Sequence, residues 1–297
     1  MITRRRFGQG ACAVVLGSGL AIPAVKSSAA DVSFEKLAGG LVKIEKNSGG
    51  RLGVAVLDTL TGIRSVHRGD ELFPMCSTFK LLAVGAILAG VDADKEHLDR
   101  RIRFEARDIV VNSAITKDRV GGEGMSIAEL CEAAITMSDN TAGNMLLDAL
   151  GGPKVLTAYA RSLGDMVTRL DRTEPDLNEA IPGDPRDTTS PQAMLANLAK
   201  LVLGDMLSAT SKDQLVRWLL GNKTGDTRLR AGLPIDWRVG DKTGSGERGT
   251  TNDVGIVWPP GRAPILVSIY LTETSVSGEQ RNAALAAVGR AVAEALT

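Results

Sequence analysis

The chain has 297 residues, 43% of them hydrophobic, and a formal net charge of zero. That length buries a sizeable core in one large domain or two modest ones. The balanced charge gives no electrostatic reason to expect nucleic acid or an anionic membrane as partner, and aromatic residues, at 3%, are too few for base-stacking platforms.

Residues 1–30 have the layout of an export signal. A basic segment, MITRRRFGQG, precedes the apolar ACAVVLGSGLAIPAV, and small residues, SSAA, follow at 27–30. The apolar stretch is too short for a membrane anchor, and Thr3-Arg4-Arg5-Arg6-Phe7 resembles a twin-arginine signal. The mature chain is therefore expected outside the cytoplasm, periplasmic or secreted, with no membrane anchor. Of the three cysteines, Cys12 lies in that segment, and the spacing of Cys76 and Cys131 does not say whether they pair.

In the mature chain, residues 32–49 are predicted as a helix. Residues 51–70 suggest a hairpin, with Val54, Val56 and Leu57 before a TLTG turn and Ile63, Val66 and His67 after it. From 77 to about 222 the signals are helical. STFKLLAVGAILAG is apolar almost all round, as in a buried helix, with Gly90 a candidate stop. SIAELCEAAITM opens on Ser126 and Glu129, a capping-box pattern, and Cys131 within it reads as a small core hydrophobe. TAGNMLLDALGG, GPKVLTAYARSLG with Pro153 early, SPQAMLANLAKLVLGDML and SKDQLVRWLLGN follow. Residues 165–189 are polar, with three prolines and no period, and a stretch that long inside a compact domain is functional or disordered. After 233, DWRVGDKTG, TTNDVGIVW and PILVSIYLT read as strands, and 278–296 as an amphipathic helix. Strands at both ends with helices between predict an α/β lobe (31–70 and 223–297) covered by helices, and an all-α lobe inserted at 71–222.

Several chemistries are disfavoured. Neither His67 nor His97 sits in a motif, as a histidine-based serine hydrolase would need. No metal-ligand spacing and no phosphate-binding glycine loop is present. A serine activated by a lysine or a carboxylate remains. Ser77 and Lys80, one helical turn apart, would place an amine beside a hydroxyl at a helix N-terminus, where backbone N–H groups stabilise an oxyanion. Taken alone, Ser-x-x-Lys describes equally a serine cap and a solvated lysine, and a second copy, Ser33 to Lys36, precedes no long buried helix. Ser138-Asp139-Asn140 could relay a proton and grip an amide, or merely cap the next helix. Lys-Thr-Gly also occurs twice. Lys223-Thr224-Gly225 reads as a turn, whereas Lys242-Thr243-Gly244-Ser245 ends a strand whose small residues let a substrate lie close and whose lysine can hold a carboxylate. Glu174 and Asn178 fall in the irregular segment, where a held carboxylate would be a general base for water.

Together and in this order, STFK, SDN, EPDLN and DKTGSG resemble the class A serine β-lactamases, over essentially the whole mature chain and in part their cefotaxime-hydrolysing branch. The resemblance implies an α/β plus all-α fold, with an antiparallel sheet, the active site in the cleft between lobes, and an omega loop at about 169–187. It implies hydrolysis of the β-lactam amide of penicillins and cephalosporins, by a monomer without cofactor or metal, conferring antibiotic resistance. Ser77 would be the nucleophile, Lys80 would assist proton transfer, Ser138 would protonate the lactam nitrogen, and Glu174 with Asn178 would activate water for deacylation, with either Lys80 or Glu174 as the base for acylation. Asn140 would bind the side-chain amide, and Lys242, Thr243 and Ser245, with Gly244 between them, the substrate carboxylate. The N–H groups of Ser77 and Ser245 would form the oxyanion hole. Arg172 and Asp187 would close the loop at its neck, and Glu174–Pro175 would be cis.

The chain departs from the family in places. Where members have a disulfide partner for Cys131, or in carbapenem-hydrolysing members for Cys76, it has Val84 and Gly246, which predicts two free thiols and argues against carbapenems as substrates. Thr251 replaces a carboxylate-gripping arginine, a role passed to Arg228, and Asn112 replaces an aromatic at the cleft. The alternatives are a penicillin-binding DD-peptidase, which lacks the Glu174/Asn178 loop, and a non-enzymatic β-lactam sensor that stays acylated.

Overall fold

The computed structural model describes residues 29–296. The export-signal segment lies, but for its last two residues, outside the described residues. The elements, in order, are α1 (Ala29–Ser48), β1 (Arg51–Asp58), β2 (Arg64–His67), β3 (Phe73–Pro74), α2 (Phe79–Asp92), β4 (Arg101–Ile102), β5 (Met125–Ser126), α3 (Ile127–Thr136), α4 (Asn140–Leu150), α5 (Pro153–Ser162), β6 (Thr188–Thr189), α6 (Pro191–Val202), α7 (Ala209–Leu220), β7 (Arg238–Ser245), β8 (Thr251–Trp258), β9 (Ile265–Thr272) and α8 (Gly278–Leu296).

The main sheet is antiparallel, in the order β2-β1-β9-β8-β7, so its strands come from both ends of the chain. Strand side chains alternate between faces, and here both faces are apolar. Val54 and Val56 of β1, and Ile265, Val267, Ile269 and Leu271 of β9, pack with Leu41 of α1 and Leu285, Val288 and Val292 of α8. Ala55, Leu266 and Tyr270 point the other way, into a core shared with α2, α3, α4 and α6. A slip of one residue would exchange the two sets, so this double burial pins the register that places β7 at the sheet edge. β2 is in the opposite phase from its expected one: Ser65 is buried and Val66 is exposed, because only one side of this edge strand is covered.

α2 is buried from Phe79 to Leu88, which its all-round hydrophobicity anticipates. It does not end at Gly90 but runs to Asp92, whose carboxylate accepts from Ser208 N (2.7 Å) and Ser208 Oγ (2.6 Å) at the start of α7. α3 has the expected capping box, with Ser126 N donating to Glu129 Oε2 (2.7 Å) and Glu129 N to Ser126 Oγ (3.2 Å). α4 ends at Gly151, whose φ of 101° suits a residue without Cβ. No helix among the described residues is long and apolar enough to cross a membrane.

Cys76 and Cys131 are both unpaired and buried. Burial pushes both thiols up in pKa, away from the reactive thiolate. Iodoacetamide, read by peptide mass, is expected to label neither in the native fold and both after unfolding in denaturant. Labelling of either in the native protein would contradict the packing described.

Candidate active site

The segment before α2 is a 3-10 turn, Cys76–Thr78, so Ser77 stands just ahead of the helix rather than within it. Main-chain carbonyls anchor the turn: Asn252 Nδ2 donates to Pro74 O (2.9 Å) and Met75 O (3.0 Å), and Thr78 Oγ1 donates to Met75 O (2.8 Å). The end of β7 and the residue after it lie close against the turn, where two glycines matter. A Cβ at Gly244 would stand 2.8 Å from Met75 O, and one at Gly246 would stand 2.6 Å from Cys76 Sγ. Ser77 makes no helix cap. Its hydroxyl donates to Glu174 Oε1 (3.0 Å) and accepts from Lys80 Nζ (2.9 Å).

Lys80 is wholly buried. Its Nζ also reaches Ser138 O (2.8 Å), Asn140 Oδ1 (2.7 Å) and Glu174 Oε1 (3.0 Å), so four acceptors compete for the three hydrogens of an ammonium. Its stem runs beside Gly143 of α4, where a Cβ would come within 2.7 Å of Cε. Burial lowers the pKa of Lys80, and the Glu174 carboxylate opposes that shift.

Glu174 is carried by the long irregular segment, yet it is fixed at every polar atom. Its main chain is clasped by one side chain, Asn144, which donates to Glu174 O (2.9 Å) and accepts from Glu174 N (2.9 Å). Asn178 Nδ2 donates to Oε2, and the Glu174–Pro175 bond is cis. At the neck of the loop, Asp187 Oδ1 accepts from the N–H groups of Asp171 (2.7 Å) and Arg172 (2.9 Å), while Oδ2 accepts from Arg172 Nε (2.6 Å). Asp187 O in turn accepts from Met75 N (2.9 Å), which ties the neck to the turn that carries Ser77.

In Ser138-Asp139-Asn140 the cap is the middle residue. Asp139 Oδ1 accepts from Ala142 N (2.9 Å), and Oδ2 from Ile115 N and Thr116 N (2.9 Å each). Ser138 and Asn140 are thereby left to the cleft. Ser138 joins the two lysines: its carbonyl binds Lys80, and its hydroxyl accepts from Lys242 Nζ (3.0 Å). Burial, then repulsion from Lys80, holds Lys242 well below the ordinary lysine pKa. Beyond it, Arg228 donates to Gly244 O (2.8 Å), Asn252 O (2.8 Å) and Ser245 Oγ (2.7 Å), and burial lowers its pKa too.

The sequence-predicted residues therefore converge. Ser77, Ser138, Asn140, Asn178, Arg228, Thr243, Gly244 and Ser245 line one cleft of about 350 Å³, with Asn112 and Thr224 at its walls. Lys80, Glu174 and Lys242 lie directly behind them. Sequence reasoning missed Asn144, Thr224 and Arg281, whose Nε donates to Thr251 Oγ1 (3.1 Å). Asn144 lies four residues after Asn140 and one turn along α4, which is the one signal that could have pointed to it. Among the described residues no three His, Cys, Asp or Glu side chains are grouped as a metal ion would require.

The sequence model of the β-lactamase enzyme family matches residues 36–296. A β-lactamase of Nocardia asteroides, AST-1, is 52% identical over 270 residues, covering 91% of this chain and 84% of that protein. The β-lactamase CTX-M-8 of Citrobacter amalonaticus is 49% identical over 254 residues, covering 86% and 87%. Among solved structures, an ancestral class A β-lactamase is 65% identical with a TM-score of 0.86, covering 87% of this chain and 99% of its own. With this fold and this extent of identity, the chain belongs to the β-lactamase enzyme family, class A.

Proposed function

We propose the following division of labour for the hydrolysis of β-lactams by this chain. The observation that carries it is the placement of one hydroxyl, Ser77 Oγ, between a carboxylate that accepts its hydrogen and a lysine that binds its lone pair. Ser77 attacks the lactam carbonyl, and its proton passes to Glu174 Oε1, towards which it already points. Lys80, donating to the same oxygen, steadies the alkoxide as it forms. The N–H groups of Ser77 and Ser245 take the developing oxyanion, a contribution of roughly 3–4 kcal/mol per donor in other hydrolases.

The lactam C–N bond then breaks, and its nitrogen needs a proton. Ser138 supplies it: its oxygen accepts from Lys242, which leaves its own hydrogen for donation, and the proton that Glu174 took from Ser77 returns through Lys80 to re-protonate Ser138, so Glu174 is a carboxylate again before the second step. Asn140 binds the side-chain amide of the substrate, and Lys242, Thr243 and Ser245 receive its carboxylate, with Arg228 behind Ser245. Once Ser77 is acylated, Glu174 with Asn178 activates a water that attacks the ester and restores the serine. This second use of Glu174 separates a hydrolase from a DD-peptidase or a sensor. The basic and apolar make-up of residues 1–30 supports export to the periplasm or medium, and we assign the enzyme a monomeric state.

Glu174→Gln is expected to be acylated by a penicillin and to keep the adduct on Ser77, with deacylation slowed by about 10²–10⁴-fold. An adduct lost as fast as in the parent would contradict the role of Glu174. Arg172→Ala should free the neck of the loop and slow deacylation by up to about 10²-fold, the penalty of a catalytic group displaced by about 1 Å; unchanged turnover of every substrate would sink that idea. Lys242 must be protonated to hold a carboxylate. Its lowered pKa makes that grip complete at low pH and lost as pH rises through a value below the ordinary lysine range. The alkaline fall of kcat/KM should therefore begin early and move to higher pH in Lys242→Arg. An alkaline limb that does not move would contradict this.

A further inference from the structure

The first Lys-Thr-Gly, at 223–225, is not a bare turn. Thr224 reaches the cleft wall, and its hydroxyl touches that of Thr243. Counting hydrogens settles which of the two donates. The N–H of Thr224 can only donate, and it points at Asn222 Oδ1 (3.0 Å), so that atom is the amide oxygen. The amide nitrogen then faces Asp241 Oδ2 (3.0 Å), whose other oxygen is held by Arg230 Nε (2.7 Å). Thr224 Oγ1 donates its single hydrogen to the same Asn222 Oδ1 (2.8 Å). Thr224 has none left for Thr243 and must accept, so the hydrogen between the two threonines belongs to Thr243. Asn222 and Asp241 are buried, and a Cβ at Gly225 would overlap Asp241 Oδ2, so the glycine of this copy is what lets the segment approach.

Ser245 is in the opposite state. A guanidinium only donates, so Ser245 Oγ accepts from Arg228 Nη2 and its own hydrogen is free for the cleft. We propose that Thr224 is a positioning residue that holds the Thr243 hydroxyl hydrogen away from the substrate, so that Ser245 rather than Thr243 presents a hydrogen to an incoming carboxylate. The inference rests on the assignment of Lys242, Thr243 and Ser245 to the carboxylate. Donation by Thr243 to that carboxylate costs the threonine–threonine hydrogen bond and leaves two oxygens facing each other. Thr224 therefore weakens the grip on anionic substrates.

The test is steady-state kinetics on a β-lactam and its methyl ester with the parent, Thr224→Val and Thr224→Ser. Valine removes the acceptor but keeps the N–H bond to Asn222, and serine keeps both. Thr224→Val is expected to lower KM for the free acid by roughly two- to tenfold, the worth of one neutral hydrogen bond. KM for the ester should not change, and Thr224→Ser should restore the parent value. Adding Thr243→Val should cost more in KM on the Thr224→Val background than on the parent. A KM for the acid that is unchanged or raised in Thr224→Val, or equal shifts for acid and ester, would overturn the proposal. A parent that treats acid and ester alike would instead overturn the assignment of the carboxylate end itself.

Discussion

The site depends on a buried ion pair. Lys80 and Glu174 meet at 3.0 Å with no side-chain exposure on either. Removing two charges from water costs several kcal/mol per ion, which their attraction recovers only when the remaining polar atoms are satisfied. Such a pair is weak evidence for stability, and its persistence has a different cause. Between them the two groups fix both the hydrogen and a lone pair of Ser77. The asparagines serve the same end: Asn140 shares the Lys80 hydrogens, Asn144 clasps the Glu174 main chain, and Asn178 satisfies the other carboxylate oxygen.

The fold supplies the rigidity that this arrangement needs. Ser77 and Lys80 come from the turn and first residues of a helix buried on all sides, Asn140 and Asn144 from α4, and Lys242 to Ser245 from an edge strand paired with β8 along its whole length. Ser138 comes from the link between α3 and α4, and Glu174 and Asn178 come from the long loop. Their position is secured by Asp187, which binds two main-chain N–H groups and a guanidinium at the neck and offers its carbonyl to Met75. The loop behaves as part of the core because its polar main chain is answered by side chains rather than by a regular ladder.

The architecture and most of the site were legible in the sequence where the signal was local or repeated. The apolar periods of β1, β9 and α2, the Ser126–Glu129 box and the order of the motifs all led to the observed elements. Local signals failed where a distant neighbour decides. Gly90 looks like a stop, but the helix continues to Asp92, whose carboxylate meets Ser208 at the start of α7 across 116 residues. Asp139 takes the cap that Ser138 or Asn140 could have taken, because its carboxylate also answers two N–H groups 23 and 24 residues away. Lys223-Thr224-Gly225 reads as a turn, since nothing in the local sequence tells that Asn222 will meet Asp241 across 19 residues.

In the proposed mechanism Ser77 is acylated and released at each turnover. The direct measurement is millisecond quenching of the parent enzyme with acid during steady-state hydrolysis of a penicillin, followed by peptide mass analysis. The account predicts an adduct confined to the peptide carrying Ser77, present while lactam absorbance falls and gone once the substrate is spent. An adduct on Ser138, or one on Ser77 that outlasts the substrate, would contradict it.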